Sequence, residues 1–185
     1  MDGHPYVIDD YFGQKGILSI LTILIIHENM KNKIYRILRT ILPVIITGVL
    51  GSVFMIIGKV DYENLVKPPL SPNKIVFPIA WTILYIVIAI SAFLYDKKVD
   101  NKEDKIKGLI IYYIGLFFNA FWTLFYFTLD MKVFSSIWLG TLYVISASNY
   151  VIFSRKNKIS GYLFLPYLVW LLFALYLNIG TAILN

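Results

Sequence analysis

Long apolar runs dominate the chain and are separated by short polar segments. Five stretches of 19 to 27 residues contain no charged residue, and about 20 apolar residues in a helix cross the ~30 Å hydrocarbon core of a bilayer. None of them alternates with the two-residue period of a membrane β-strand. The pattern therefore predicts an all-α membrane protein, a bundle of five transmembrane helices at about residues 37–58, 75–95, 108–129, 133–154 and 159–183.

The connections between these runs are too short to hold an extramembrane domain, and their charges predict an orientation. Thirteen of the 17 Lys and Arg residues lie in the N-terminal segment, the second loop and the fourth loop. Because cytoplasmic loops of membrane proteins are rich in Lys and Arg, this bias predicts a cytoplasmic N-terminus and an outward-facing first loop at residues 59–74. It also favours a multi-pass protein of a bacterial cytoplasmic membrane over one of an outer membrane.

Residues 1–29 do not fit the pattern of spans that residues 30–185 follow. Their apolar run, Ile17–Ile26, has ten residues and is too short to cross a bilayer. Two interpretations stay open. The segment is either a poorly ordered, non-native extension upstream of a natural start at Met30, or a short interfacial helix lying on the membrane.

Composition excludes several classes of protein. The chain is 58% hydrophobic and 15% charged, with a mean hydropathy of +0.70, whereas soluble domains are about 45–50% apolar and about 25% charged. The net charge of +6 comes from residues flanking the apolar runs, so we interpret it as a topology signal and expect no nucleic-acid partner. The absence of cysteine excludes disulfides, thiol nucleophiles and thiolate metal sites.

The five charge-free stretches of the predicted spans also contain no His, so they hold no ionisable Asp, Glu, Lys, Arg or His side chain. Pumps and ion-coupled carriers generally bury ionisable groups in the membrane, and hydrolytic chemistry needs a general acid or base. Both functions are therefore disfavoured. The two histidines, His4 and His27, are too few for a metal site, and we expect no metal and no required cofactor.

Aromatic and amide residues recur at helical spacing in three of the spans. Residues three or four apart share a helix face, and aromatic walls with a few polar groups suit a flat, mostly apolar ligand. The same pattern also fits helix–helix packing, with Asn as interhelical glue, and spacing alone leaves both interpretations open. The groups are Trp81 with Tyr85, Asn119 with Trp122 and Tyr126, and Trp170 with Ala174 and Asn178.

The first loop is rich in proline. Three of the five residues from Pro68 to Pro72 are proline, which fixes φ and excludes a helix. Such a stiff loop either roofs a cavity or acts as a rigid connector. In the first span, Gly48, Gly51 and Ser52 predict a face that packs closely against another helix.

Three sequence blocks, in order and on five spans, resemble the TspO/MBR family of tryptophan-rich sensory proteins, which are related to the translocator protein. The first block is a proline-rich loop that runs into a Trp-Thr-x-Leu-Tyr motif, the second is Asn-x-x-Trp, and the third is Pro-Tyr-x-x-Trp-x-x-Phe-Ala-x-x-x-Asn. The resemblance covers about residues 30–185. The blocks are Leu65–Pro72 with Val76–Tyr85, Asn119–Trp122 and Leu165–Asn178.

The resemblance implies a five-helix bundle, commonly a homodimer in the lipid membrane. It also implies a pocket between helices 1, 2, 3 and 5, under the first loop, that binds porphyrins such as protoporphyrin IX, heme-like tetrapyrroles and hydrophobic drug-like molecules. Porphyrin is then the ligand rather than a cofactor. By motif, the ligand-binding residues are Pro68, Phe77, Trp81, Tyr85, Asn119, Trp122, Trp170, Ala174 and Asn178.

The function expected from the resemblance is a membrane receptor or sensor that modulates tetrapyrrole or stress responses. One alternative is light- and oxygen-dependent porphyrin degradation, in which Trp81 and Trp170 match the tryptophans thought to react; another is porphyrin transport. Because no basic residue follows Tyr176, we do not expect sterol binding. The chain also departs from the family at several positions. The departures are Asp61 and Leu70 in place of tryptophans, Asn73 in place of a proline, and Trp138 near an expected acidic residue.

Overall fold

A computed structural model describes residues 30–185, together with Thr22 and His27. The chain divides into two units, residues 1–37 and residues 38–185. In the first unit residues 30–37 are helical, and the second unit contains the helical bundle. The prediction for residues 1–29 falls outside the described residues and stays a prediction.

Five helices are long and apolar enough to cross a membrane, and the described residues contain no strand. The prediction of an all-α membrane protein with five spans is therefore confirmed. At ends that carry Lys or Arg residues the helices extend past the charge-free runs, most of all at the start of the first span. The five spans are Met30–Ile56, Val76–Lys98, Lys102–Thr128, Lys132–Lys156 and Lys158–Leu184.

Three of the spans are locally interrupted. In the first and fifth spans a new helical segment starts with Pro in its first turn. Proline is tolerated there because the backbone N–H groups of a first turn have no partner within the helix. These segments are Leu42–Ile56 and Leu165–Leu184. A five-residue helix, Lys158–Tyr162, precedes the second of them. The third span is α-helical over Lys102–Thr123 and ends in a π-helical turn, Leu124–Thr128.

Small residues bring the helices close together, as expected where lipid supplies little hydrophobic driving force between helices. A Cβ atom added at Gly108 would lie 2.4 Å from the hydroxyl oxygen of Tyr95, and one added at Gly161 would lie 2.7 Å from the backbone of Ser154. The fourth span packs against the third and fifth, the first packs mainly on the third, and the first and second make fewer contacts. The second span is therefore loosely packed against the first, and equally loosely against the third.

An ion pair joins the first two spans at the end of the bundle opposite the first loop. The guanidinium of Arg39 donates to the fully buried Asp96 carboxylate at 2.8 Å. The phenol of Tyr113, in the third span, donates to the backbone carbonyl of Arg39 at 2.8 Å. Sequence reasoning placed Asp96 outside its span and missed this buried acid, since only the packing of three helices encloses it.

Candidate functional site

A cavity of about 1090 Å³ lies between the first, second, third and fifth spans and reaches the first loop. This is the set of helices that the resemblance implies. Its walls are almost entirely apolar, which suits a largely hydrophobic ligand. The lining side chains include Phe77, Trp81, Tyr85, Trp122, Tyr126, Phe127, Ala174, Asn178 and Thr181.

Trp81 lies at the centre of the aromatic wall. Its ring centroid is 5.8 Å from that of Trp122, 5.6 Å from that of Tyr85 and 6.4 Å from that of Trp170. Aromatic pairs at 4.5–7 Å in tilted or edge-to-face geometry attract one another. The second, third and fifth spans therefore present one continuous aromatic surface.

Trp122 is held in place by the amide of Asn178. The indole N–H donates to Asn178 Oδ1 at 2.8 Å, and Asn178 Nδ2 donates to the carbonyl of Lys132 at 3.0 Å and to Ser136 Oγ at 2.8 Å. Asn178 is 2% exposed although it borders the cavity. The amide thus fixes an indole and ties the fifth span to the start of the fourth.

Asn119 has a similar role behind the aromatic wall. It accepts a hydrogen bond from the Tyr85 hydroxyl at 2.6 Å and donates one to the Tyr167 hydroxyl at 2.8 Å. Asn119 is buried and does not line the cavity. A chain of polar groups therefore connects the second, third and fifth spans through one amide.

The structure brings most of the predicted site residues to one cavity. Three of the nine stand back from it: Pro68 packs against Gly180, Asn119 lies behind Tyr85, and Trp170 packs on Trp81 and on Phe77. The roles of all nine in ligand binding stay predictions. The six that line the cavity are Phe77, Trp81, Tyr85, Trp122, Ala174 and Asn178.

Sequence reasoning placed Tyr126 on an aromatic face but missed Phe127 and the π-helical turn at the end of the third span. Tyr126 and Phe127 are adjacent in sequence, yet both line the cavity. The carbonyl of Phe127 also accepts hydrogen bonds from the backbone amides of Lys59 and Val60. A Cβ added at Gly58 would lie 2.6 Å from that carbonyl oxygen, so the glycine permits this close contact between loop and helix.

Hydrogen bonds and an ion pair within the first loop hold its shape at the outer end of the cavity. Tyr62, a lining residue, donates its hydroxyl to the carbonyl of Pro72 at 2.9 Å. Burial raises the pKa of the Tyr62 phenol, which keeps the hydroxyl protonated as a donor. Ser71 Oγ donates to the carbonyl of Pro68 at 2.7 Å, and Lys74 pairs with Glu63 at 3.2 Å.

The loop is fastened to the C-terminal part of the fifth span by hydrogen bonds. Tyr176 donates its hydroxyl to the carbonyl of Pro69 at 2.8 Å. The side chain of Asn185 exchanges two hydrogen bonds of 3.0 Å with the backbone of Val66. Leu70, at the turn, has a φ of 65° and is 83% exposed, so it points away from the cavity. The loop is therefore a fitted cover rather than a simple connector.

We predict that Gly180→Ala loosens this cover. A Cβ at Gly180 would lie 2.6 Å from two atoms of the Pro68 ring, so the methyl group displaces the loop. Backbone hydrogen exchange in residues 62–72 should rise at least tenfold. Gly140→Ala is the matched control because a Cβ there meets nothing within 4 Å, and it should leave loop exchange unchanged. Equal exchange in the two variants would show that the Pro68 contact does not hold the loop.

Trp138 belongs to a separate aromatic cluster. Its indole N–H donates to the carbonyl of Phe118 at 2.7 Å, and its ring stacks on Phe118 with centroids 4.1 Å apart. It does not line the cavity. Trp138 thus joins the third and fourth spans, and it provides a control tryptophan for experiments on the cavity.

The cavity is chemically suited to binding a flat ring system. Its lining contains indole, phenol and aliphatic surface, with Lys74 as the cationic side chain at the loop end. Within residues 30–185, no group of three or more His, Asp or Glu side chains could hold a metal ion. The residues present can stack, enclose and hydrogen-bond a ligand.

Sequence comparisons with known proteins show what the chain is similar to. The sequence model described as the TspO/MBR family matches residues 40–184. The chain is 32% identical to the "Tryptophan-rich sensory protein" of Cereibacter sphaeroides over 124 residues, which is 67% of this chain and 76% of that protein. It is 29% identical to the "Tryptophan-rich protein TspO" of Archaeoglobus fulgidus over 153 residues, covering 82% of this chain and 98% of that protein.

Proposed function

Because the chain belongs to the TspO/MBR family, we propose that this integral membrane protein is a receptor or sensor for porphyrins and related flat hydrophobic molecules. The observation that carries the proposal is the cavity of about 1090 Å³ lined by Trp81 and Trp122. A tetrapyrrole is a large, flat, conjugated ring, and stacking on aromatic side chains contributes about 0.5–1.5 kcal/mol per pair beyond buried area.

The polar groups of the site support an amphipathic ligand. Lys74 borders the loop end of the cavity and forms an exposed pair with Glu63, and exposed pairs are worth only about 0–1 kcal/mol. Lys74 can therefore leave Glu63 and pair with an acidic group of a ligand at little cost in free energy. In this arrangement the ring stacks among the indoles and the acidic substituents lie under the loop.

Protoporphyrin IX titrated in the dark into the purified protein in detergent tests the proposal. We expect saturable quenching of tryptophan fluorescence at micromolar porphyrin, because a pigment in the cavity lies beside Trp81 and Trp122. The Trp138→Phe variant should give the same titration, since that ring lies outside the cavity. Linear, unsaturable quenching up to tens of micromolar porphyrin would contradict porphyrin as the ligand.

Light-dependent porphyrin oxidation is a second candidate function, favoured by the contact of Trp81 with two further indoles. An excited porphyrin and oxygen can oxidise an indole without acid–base groups, so a lining without a carboxylate or imidazole is compatible with this chemistry. Illumination should then give a new absorbing product with the wild type and none with the Trp81→Phe/Trp170→Phe double variant. Equal bleaching by both proteins would reject it.

The membrane and the assembly complete the proposal. We propose that the protein resides in a bacterial cytoplasmic membrane with its N-terminus inside, since Lys and Arg flank the spans unevenly. We also propose that it forms a homodimer, as the resemblance implies. Light scattering of the detergent-solubilised protein gives the number of chains per micelle, and a single chain would contradict the dimer.

A further inference from the structure

The cavity has a second part that aromatic ligands do not explain. The Tyr85 ring crosses from the second span toward the first, and a Cβ added at Gly48 would lie 3.3 Å from it. The other aromatic rings of the lining all lie on the loop side of this contact. On the other side the lining is entirely aliphatic, and we call this part the aliphatic groove; it is lined by Ile41, Val44, Ile45, Ile86, Ala89 and Ile90.

The aliphatic groove has a closed floor and an open side. Val44 and Ala89 are only 4% and 7% exposed, whereas Ile45, Ile86 and Ile90 are 55%, 55% and 46% exposed although they line the cavity. The groove therefore opens outward between the first and second spans, which make few contacts with each other. From residue 41 to residue 48 of the first span, a rise of 1.5 Å per residue gives a length of about 10 Å.

The surroundings of this opening are hydrocarbon, because both of its margins belong to membrane spans. Water finds no polar partner among six aliphatic side chains, and a concave apolar wall left empty loses dispersion contacts. The whole cavity, at about 1090 Å³, lies close to the upper end of the ~300–1,000 Å³ typical of small-molecule sites.

We propose that the aliphatic groove is a binding site for one acyl chain of a membrane phospholipid. The chain enters sideways between the first and second spans and ends against the Tyr85 ring. Its recognition rests on shape and apolar contact, since no charged side chain lines this part of the cavity. The site is separate from the aromatic part of the cavity around Trp81. Its occupation requires only that the protein lie in a bilayer.

Photo-crosslinking in liposomes tests the proposal with a phosphatidylcholine that carries a diazirine on one acyl chain. Mass spectrometry then compares labelling of the groove with that of ordinary lipid-facing positions. Ile110 and Ile114 of the third span are suitable references because they are 50% and 42% exposed and do not line the cavity. We expect at least fivefold stronger labelling in peptides containing residues 41–45 and 86–90. Labelling equal to that of the references would overturn the proposal.

Filling the groove provides a second measurement. Ala89→Phe places a ring on its floor and should reduce groove labelling to the reference level, whereas Ile83→Phe is a control on the lipid-facing side of the same span, outside the cavity. Val44→Phe fills the groove from the first span if Ala89→Phe does not fold. Undiminished labelling in a folded filled variant would also overturn the proposal.

The outcome is independent of porphyrin binding. Enriched labelling without saturable porphyrin quenching would support the lipid site and count against the proposed ligand. Saturable quenching with labelling at the reference level would support porphyrin as the ligand and overturn the lipid site. The wild-type experiment is decisive by itself, so failure of a variant to fold leaves the test intact.

Discussion

Replacing Trp81 with alanine is expected to raise the Kd for protoporphyrin IX at least tenfold. Trp81 lines the cavity, and its ring lies within 5.8 Å of the Trp122 ring. A tenfold change is about 1.4 kcal/mol, which is the loss of one or two ring contacts with the ligand at about 0.5–1.5 kcal/mol each. Dark titration followed by porphyrin absorbance measures the change without depending on the deleted fluorophore.

The matched control is Trp138→Ala. It removes the same side chain from the cluster formed with Phe118, outside the cavity, and should leave the Kd within twofold of wild type. Both variants should be compared at equal folded fraction, judged by a single peak in size-exclusion chromatography. If the two substitutions weaken binding equally, the porphyrin does not occupy the cavity beside Trp81.

The second large effect is expected on stability, from Asn119→Leu. The substitution removes the acceptor of the Tyr85 hydroxyl and a donor to the Tyr167 hydroxyl, both in the bundle interior. Leaving a buried hydrogen-bond donor without an acceptor costs about 1–3 kcal/mol of stability. Hydrogen bonds between membrane helices average about 0.6 kcal/mol in double-mutant cycles, with a maximum near 1.7. We therefore expect a loss of about 1–2 kcal/mol in the free energy of unfolding, measured by SDS titration in mixed micelles.

A double-mutant cycle makes this prediction specific. Tyr85→Phe removes the hydroxyl that Asn119→Leu strands, so the double variant should regain most of the lost stability. Asn149→Leu is the control, because Asn149 is equally buried but its Oδ1 has no hydrogen-bond partner, and it should cost less than Asn119→Leu. Additive losses in the cycle would mean that Asn119 and Tyr85 do not act as a pair.

The side-chain amides of Asn119 and Asn178 show which features of the site the sequence predicts and which it does not. Helical spacing placed Asn119 and Asn178 on the aromatic faces, where they are found, and left open whether such amides serve a ligand or the packing of helices. In the structure both hold aromatic side chains, Tyr85 and Trp122, across helix boundaries. Spacing along one helix gives the face of a residue but does not give its partner on another helix.

The first loop shows a similar division. Its prolines excluded a helix, but they did not distinguish a roof from a connector. The distinction came from contacts between residues far apart in sequence, such as Val66 with Asn185 and Pro68 with Gly180. Leu70, which stands where the family has a tryptophan, points outward with a positive φ, so this departure lies outside the cavity wall.

The sequence by itself determined the five spans, because a bilayer requires about 20 apolar residues per helix and tolerates few charges among them. It also determined the family, through motifs that are local in the chain. Only the tertiary structure decided that Asp96 is buried, that the π-helical turn brings both Tyr126 and Phe127 to the cavity, and that an aliphatic groove opens between two spans. These features depend on how helices approach one another, and that is set by small residues, interhelical hydrogen bonds and ring packing between distant positions.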